Sequence, residues 1–296
     1  MAAIEARPRT LISPAQLGRR RGKVTYWIVF GLTMTVFTLV FLGPLYWMIT
    51  GGLKSTAEVI QSPPTPYPKD PSPETYGDAW DRLNLAKLLG NTLYYAFGAL
   101  AFQLVLCVAA AYSLSKLRPV LGNVILGMML ATLMIPATVL IVPQYLTVID
   151  VPLFERNLAN SPWAIWLPSV TNAFNIFLLK RFFDSIPQEL LDAASMDGAS
   201  RIRTLWSVIL PISRPILGVV SIFAIVNVWK DFLWPLLTLP DPDKQTLNVG
   251  IYSLSTGVSE NVLIAAMTIA SIPTLLIFLI FQRNIMSGLT AGGLKG

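Results

Sequence analysis

The chain has 296 residues, 54% of them hydrophobic and only 13% charged, with a net charge of +6. Soluble domains carry about 25% charged residues, so this balance leaves too little polar surface to meet water and requires lipid around much of the protein. With no His and a single Cys, Cys107, zinc sites of the usual ligand types, Cys–His nucleophiles, disulfides and imidazole acid–base chemistry are excluded.

In chain order, a basic tail over residues 1–23 precedes an uncharged run at 24–49. That run exceeds the ~20 apolar residues a bilayer core needs. It is about twice a signal-peptide core and no A-x-A site follows, so a retained span is expected rather than a cleaved leader. Next comes Gly51-Gly52-Leu53-Lys54-Ser55, which lacks the GxxxxGK[ST] spacing of a phosphate loop; no ATP site is expected in this chain. Pro63, Pro64, Pro66, Pro68, Pro71 and Pro73 favour extended backbone, and Tyr76 and Trp80 read as an interfacial belt. Residues 51–85 are thus expected to form a structured outer loop rather than a separate domain.

Uncharged runs at 88–115, 119–149, 157–179 and 261–282 are also long enough to span. Thr171, Asn172 and Asn175 lie within the fourth span, where interhelical hydrogen bonding is expected. The run at 215–229 is too short alone. Extended to residue 239 it suffices, which places Lys230 and Asp231 within the membrane zone. The result is an all-α integral membrane protein of six transmembrane helices over 24–282. Six spans put both termini on one side. A cytoplasmic N-terminus places 15 of the 22 Lys and Arg inside, so the basic excess reads as a positive-inside signal and not as nucleic-acid binding. Pro44, Pro136, Pro143, Pro168, Pro235 and Pro273 fall within spans and predict kinks. Ordinary membrane packing and a bundle of bent, movable helices both fit that pattern.

The cytoplasmic loop at 184–214 is the most specific segment. Ser185-Ile186-Pro187-Gln188 fits a capping box. Leu190, Ala193 and Ala194 follow at helical spacing, and Gly198 is a natural stop. A second helix can begin at Ser200, with Ile202, Leu205, Val208 and Ile209 on one face, and end at Pro211. Such a pair could rest on the membrane surface. Its small-residue face, with Ala193, Ala194, Ser195, Gly198 and Ala199, fits a docking element better than the bulky apolar face of a surface helix. In the following span Asn227, Lys230, Asp231 and Trp234 recur at i, i+3, i+4 and i+7, one helical face. Charge at that depth points to a wet cavity, where Trp234 offers an apolar plate to a solute, or to an interhelical clamp.

Glu189-Leu190-Leu191-Asp192-Ala193-Ala194-Ser195-Met196-Asp197-Gly198-Ala199, followed by Ile209-Leu210-Pro211, resembles the EAA loop of ATP-binding-cassette importer permeases. Asp192 stands where the motif has Glu, which keeps the charge. Pro44-Leu45-Tyr46-Trp47-Met48, Met134-Ile135-Pro136, Phe177-Leu178-Leu179-Lys180-Arg181-Phe182-Phe183 and the tail from Gly288 to Gly296 are similar to the carbohydrate branch, of maltose-permease type. The resemblance covers residue 24 to the end. It implies an importer-permease (MetI-like) bundle in a bacterial cell membrane and pairing with a second permease subunit. Two ATPase subunits would hold ATP and Mg, leaving this chain without a cofactor, and an extracytoplasmic protein would deliver sugar.

By that resemblance Glu189, Asp192, Ala193, Ala194, Asp197, Gly198 and Ala199 meet the ATPase, and the tail at 283–296 reaches toward it. The chain would perform no bond chemistry. Trp229-Lys230-Asp231-Phe232-Leu233 departs from the family pattern Trp-Asn-Asp/Glu-Phe-Leu: Lys230 replaces Asn. It would pair with an acid on the partner permease or favour an acidic solute. A permease for peptides, amino acids or phosphate, a membrane enzyme and a secondary carrier are the rival readings. The first could share the EAA loop, the second lacks a catalytic cluster, and the third lacks an inverted repeat.

Overall fold

The computed structural model describes residues 20–152 and 155–291, with side chains for 21–152 and 155–282. Of the tails expected at 1–23 and 283–296, residues 1–19 and 292–296 lie outside the described residues. The remainder continues the flanking helices.

Among the described residues, three helices are long and apolar enough to cross a membrane alone. They are α1 (Arg20–Gly51), α4 (Leu85–Tyr112, extended by a π-turn at Ser113–Leu117) and α14 (Glu260–Ala291). Short helices α2 (Thr56–Val59) and α3 (Glu74–Arg82) lie between the first two. The other expected spans are broken. Residues 119–149 form α5 (Gly122–Thr132) and α6 (Ala137–Ile149), bent by 105°. Pro136 sits at the break with φ −58° and ψ 130°, and its ring disfavours helical backbone at Ile135. At 1.5 Å per residue these halves rise ~16 and ~20 Å, neither enough for a ~30 Å core. Residues 157–179 become α7 (Trp163–Val170) and α8 (Ala173–Asp184), parted at Thr171-Asn172. Helices α9 (Gln188–Met196) and α10 (Arg201–Ile212) follow; α10 bends by 83° into α11 (Arg214–Lys230). Then come α12 (Leu233–Thr238) and α13 (Leu247–Leu254). Counting each bent pair as one span gives up to five, so the expectation of six is not reached by length and apolarity.

Helix α4 is the axis of the bundle. Leu88, Thr92, Tyr95, Ala96, Ala99, Gln103, Cys107 and Ala111 are buried along one face. Several are small, which lets neighbouring backbones approach without a bulky layer between. Gly98 shows how close: a Cβ there would lie inside the van der Waals envelope of the Trp166 indole. Trp166 in turn donates from Nε1 to the Tyr95 carbonyl at 3.2 Å.

Buried residues gather at the two ends and the middle of α4. Near the 184–214 loop, Cys107, Ala111, Leu179, Phe183, Ile209 and Val220 join α4, α8, α10 and α11. At the opposite end Ala79, Leu85, Leu88, Trp229, Leu247 and Ala265 join α3, α4, α11, α13 and α14. Between them lie Tyr95, Ala99, Ile165, Val228 and Leu239.

The 51–85 segment is structured as expected. Glu58 is buried and accepts from the Thr65 hydroxyl at 2.7 Å and the Lys69 amide at 3.1 Å. Buried Lys54 donates to the Thr65 carbonyl and sits 4.6 Å from the Trp47 ring centroid. Tyr76 does not join an outward belt. It packs against the α14 end of the core, and its hydroxyl donates to the Ile49 carbonyl at 2.9 Å, one of the carbonyls that α1 leaves open at its C-terminus. Burial raises this hydroxyl's pKa.

Candidate functional sites: the 184–214 loop and two cavities

The loop forms the two-helix hairpin expected, with one altered boundary. Ser185 does not cap α9. It still has helical dihedrals in the last turn of α8 and donates from Oγ to the Phe182 carbonyl at 2.7 Å. Pro187 takes the cap position with ψ 137°, and Gln188 bonds forward to Asp192 at 3.1 Å, so no capping box forms.

The other end of α9 follows from Gly198. Its φ of +74° is a left-handed value open to Gly. The Gly198 amide bonds the Ser195 carbonyl at 3.0 Å and the Ala199 amide bonds the Ala194 carbonyl at 2.9 Å, a Schellman closure. Ser200 then caps α10 through the Arg203 amide at 3.3 Å.

No residue of α9 is buried. Glu189, Asp192, Ala193, Asp197 and Gly198 are exposed and Ala194 and Ala199 half-buried, so the predicted set forms one accessible ridge. Sequence periodicity missed its apolar part. Met196 is 89% exposed, Ile202 71% and Trp206 68%. Ile202 was expected on one face with Leu205, Val208 and Ile209, yet the four differ in burial. A π-turn over Leu205–Ile209 changes the helical phase after Thr204, so Ile209 is buried while Ile202 points out.

Three hydrogen bonds fasten this hairpin to the end of α4, and a fourth, from Lys180 within α8, shares the Asp184 acceptor. Asp184 accepts from the Ser115 hydroxyl and from Lys180 Nζ, both at 2.7 Å. Lys116 Nζ donates to the Ile186 carbonyl at 3.0 Å, and the Tyr112 hydroxyl to the Arg201 carbonyl at 2.9 Å. Ser115 is 2% exposed. Sequence reasoning had counted Lys116 only as topological charge. Its π-turn, which gives no periodic signal, aims these groups at both strands of the hairpin.

The polar stripe does not stay on one face. Helix α11 ends at Lys230 and Asp231 is extended, φ −70° and ψ 127°. The i, i+3, i+4, i+7 register therefore fails after Lys230. Asn227, Asp231 and Trp234 line one cavity of about 120 Å³ with Gln103, Thr171 and Asn172. Lys230 lines a different cavity of about 650 Å³, with Trp229, Phe232, Asn248, Tyr252 and Thr274.

Within the first cavity, the roles differ from the expected ones. Pro168 has no N–H for the Ala164 carbonyl four residues earlier. That carbonyl accepts instead from Trp234 Nε1 at 2.9 Å. Trp234 is thus a clasp between α12 and the proline-bearing α7, beyond any role as a sugar plate. Asp231 accepts from the Trp234 amide at 3.4 Å at the start of α12. Asn172 accepts from the Asn175 amide N–H at 3.0 Å and so caps α8 rather than a neighbouring helix. The Asn175 side chain is buried, with neither polar atom partnered among the described residues. The helix break at Thr171-Asn172 opens onto this cavity, and the break at Asp231-Phe232 places Asp231 in this cavity and Phe232 in the larger one.

Broken apolar helices around polar cavities, with an exposed hairpin at one end, are the anatomy of a transporter. Residues 103–290 match the family described as "Binding-protein-dependent transport system inner membrane component". The chain belongs to this family. The matched stretch of the permease contains the hairpin, both cavities and every broken helix after α4.

The permease is 34% identical over 261 residues to the sulfoquinovosyl glycerol transport system permease protein SmoH of Agrobacterium fabrum, covering 86% of this chain and 88% of that one. It is 29% identical to the diacetylchitobiose uptake system permease protein NgcG of Streptomyces coelicolor, covering 88% and 86%. Among solved structures it superposes on a chain of a bacterial ABC transporter that imports the acidic polysaccharide alginate, with a TM-score of 0.76 and 25% identity over 90% of this chain and 98% of that one. The permease is therefore a multi-pass membrane protein of a transport system that depends on a binding protein.

Proposed function

We propose that this permease is one half of the translocation path of an ATP-driven sugar importer. It pairs with a second permease and is driven by two ATPase subunits that hold ATP and Mg. The observation that carries this is the exposed 188–206 ridge, closed by Gly198 and fastened to α4 at both of its strands. The ridge, whose α9 part has no buried residue, offers apolar contacts at Met196, Ile202 and Trp206 beside the acids Glu189, Asp192 and Asp197. A partner's cleft can seat it.

In this reading the ridge and both chain ends face the cytoplasm, and an extracytoplasmic binding protein delivers solute at the Lys230 end. ATP binding draws the ATPase pair together and moves the docked ridge. The fastened ends of α4 and α11 follow, and the path changes from inward- to outward-facing. The chain itself makes and breaks no covalent bond. Sugar rather than peptide or phosphate is supported by the carbohydrate systems from which the similar permeases come.

Gly198→Asp tests the docking step. No atom lies within 4 Å of a Cβ at this position, and Asp is among the residues that tolerate left-handed backbone. The subunit should still insert and pair with the second permease, while ATPase co-purification is lost. Wild-type recovery of the ATPase with this variant would sink the proposal.

A further inference from the structure

We propose that the cavity holding Lys230 takes a sugar bearing an anionic group, a carboxylate, sulfonate or phosphate ester, and that Lys230 reads that group. The inference rests on the importer reading above and names the solute class.

Lys230 is the last residue of α11, whose 17 residues rise ~25 Å from the hairpin end. That places Lys230, whose side chain is exposed on the bundle, in the far part of a ~30 Å apolar core. A cation there needs a counter-charge or water. Among the described residues Lys230 forms no ion pair, and no carboxylate lines its cavity. Asp231, the next residue, lines the other cavity because the chain turns extended between them.

The rest of the cavity suits a carbohydrate. Its volume of about 650 Å³ falls in the range of sites for small organic ligands. Phe232 and Tyr252 meet edge to face at 5.2 Å and present apolar rings. The Asn248 amide donates to the Trp229 carbonyl at 2.9 Å, which steadies the end of α11 beneath Lys230. Ser255, Ser271 and Thr274 add hydroxyls along the wall toward α14. The site therefore offers a largely apolar wall, a few neutral polar groups and one positive charge. A neutral sugar would use the hydroxyls and leave the ammonium unpaired. An anionic sugar satisfies both, with Lys acting as a point charge that suits any of the three acid groups.

The test uses the complete importer in proteoliposomes, with both permeases, the ATPase and its own binding protein. Labelled neutral, uronate-bearing, sulfonated and phosphorylated sugars are offered as a panel. ATP-dependent uptake should be confined to acid-bearing members. Lys230→Asn should lower it about tenfold, the effect of losing one charge-assisted hydrogen bond, and Lys230→Arg should retain most of it.

Uptake of only neutral sugars would overturn the proposal and leave the importer reading intact. So would wild-type acid-sugar uptake by Lys230→Asn. If Lys230→Asn instead releases the second permease from the complex, the ammonium pairs with that subunit and the proposal fails. No ATP-dependent uptake of any member by the wild-type complex would count against the importer reading itself.

Discussion

Trp234 and Pro168 allow a quantitative test of how a proline is accommodated in this bundle. Proline at 168 removes the helical donor to the Ala164 carbonyl, and the Trp234 indole supplies a replacement from another helix at 2.9 Å. Trp234→Phe keeps a ring but removes the donor. The carbonyl is then unpaired in a water-poor region, at a cost of ~1–3 kcal/mol for an orphaned buried group. Interhelical bonds in membranes average nearer ~0.6 kcal/mol, because the alternative state also finds partners. We expect Trp234→Phe to destabilise by about 1 kcal/mol. Pro168→Ala restores a backbone N–H aimed at the same carbonyl. In that background Trp234→Phe should cost only its lost packing. The two changes should therefore couple by ~0.5–1.5 kcal/mol in a double-mutant cycle. The assay is reversible unfolding in mixed detergent, followed by tryptophan-independent far-UV dichroism. Additive effects within ~0.3 kcal/mol would show that the indole bond does not replace the missing helical one.

Three further variants probe the parts around it. Asp184→Ala strips the acceptor from the buried Ser115 hydroxyl and from Lys180. It should destabilise the subunit by ~1–3 kcal/mol and lower uptake per ATP hydrolysed more than hydrolysis itself; an unchanged ratio in proteoliposomes would remove the fastening role. Gly98→Ala drives a methyl into the Trp166 indole, an overpacking cost of ~1–3 kcal/mol, and Trp166→Phe in the same chain should recover part of it by thermal unfolding. Glu58→Ala orphans the Thr65 hydroxyl and the Lys69 amide, so proteolysis within residues 61–73 should accelerate while ATPase co-purification is unchanged.

The apolar runs were legible because lipid permits little else: α1, α4 and α14 appear close to the stretches that composition marked. Gly198 was legible because a left-handed residue has a strong residue-type signature. Ser200 was equally plain as a cap. The breaks were not. An uncharged run of 31 residues at 119–149 reads as one span whether it is straight or bent, and Pro136 signals a kink without giving its angle. The stripe at 227–234 failed for the same reason, since spacing arguments assume an unbroken helix and Asp231 is extended. Ser115, Lys116 and Ile209 lie in π-turns, which shift the phase of the side chains without leaving any mark in the pattern of residues.

Those two π-turns sit at the ends of the hairpin's attachments, and their position explains how one region can act on the other. Helix α4 carries Tyr112, Ser115 and Lys116 at the hairpin and Gln103 at the polar cavity about three turns away. Helix α11 leaves the hairpin at Arg214 and ends at Lys230, between the two cavities. Both are continuous between these points, and α4 and α11 pack along each other through Val108, Val219 and Val220. A continuous helix transmits displacement along its length, whereas a broken one absorbs it at the break. The breaks at Thr171-Asn172 and Asp231-Phe232 lie at the cavity and not between hairpin and cavity. In the proposed coupling, movement imposed at Tyr112, Ser115 and Lys116 passes along α4 to Gln103 without a break, whereas the route from Arg201 through α11 crosses the 83° bend after Ile212.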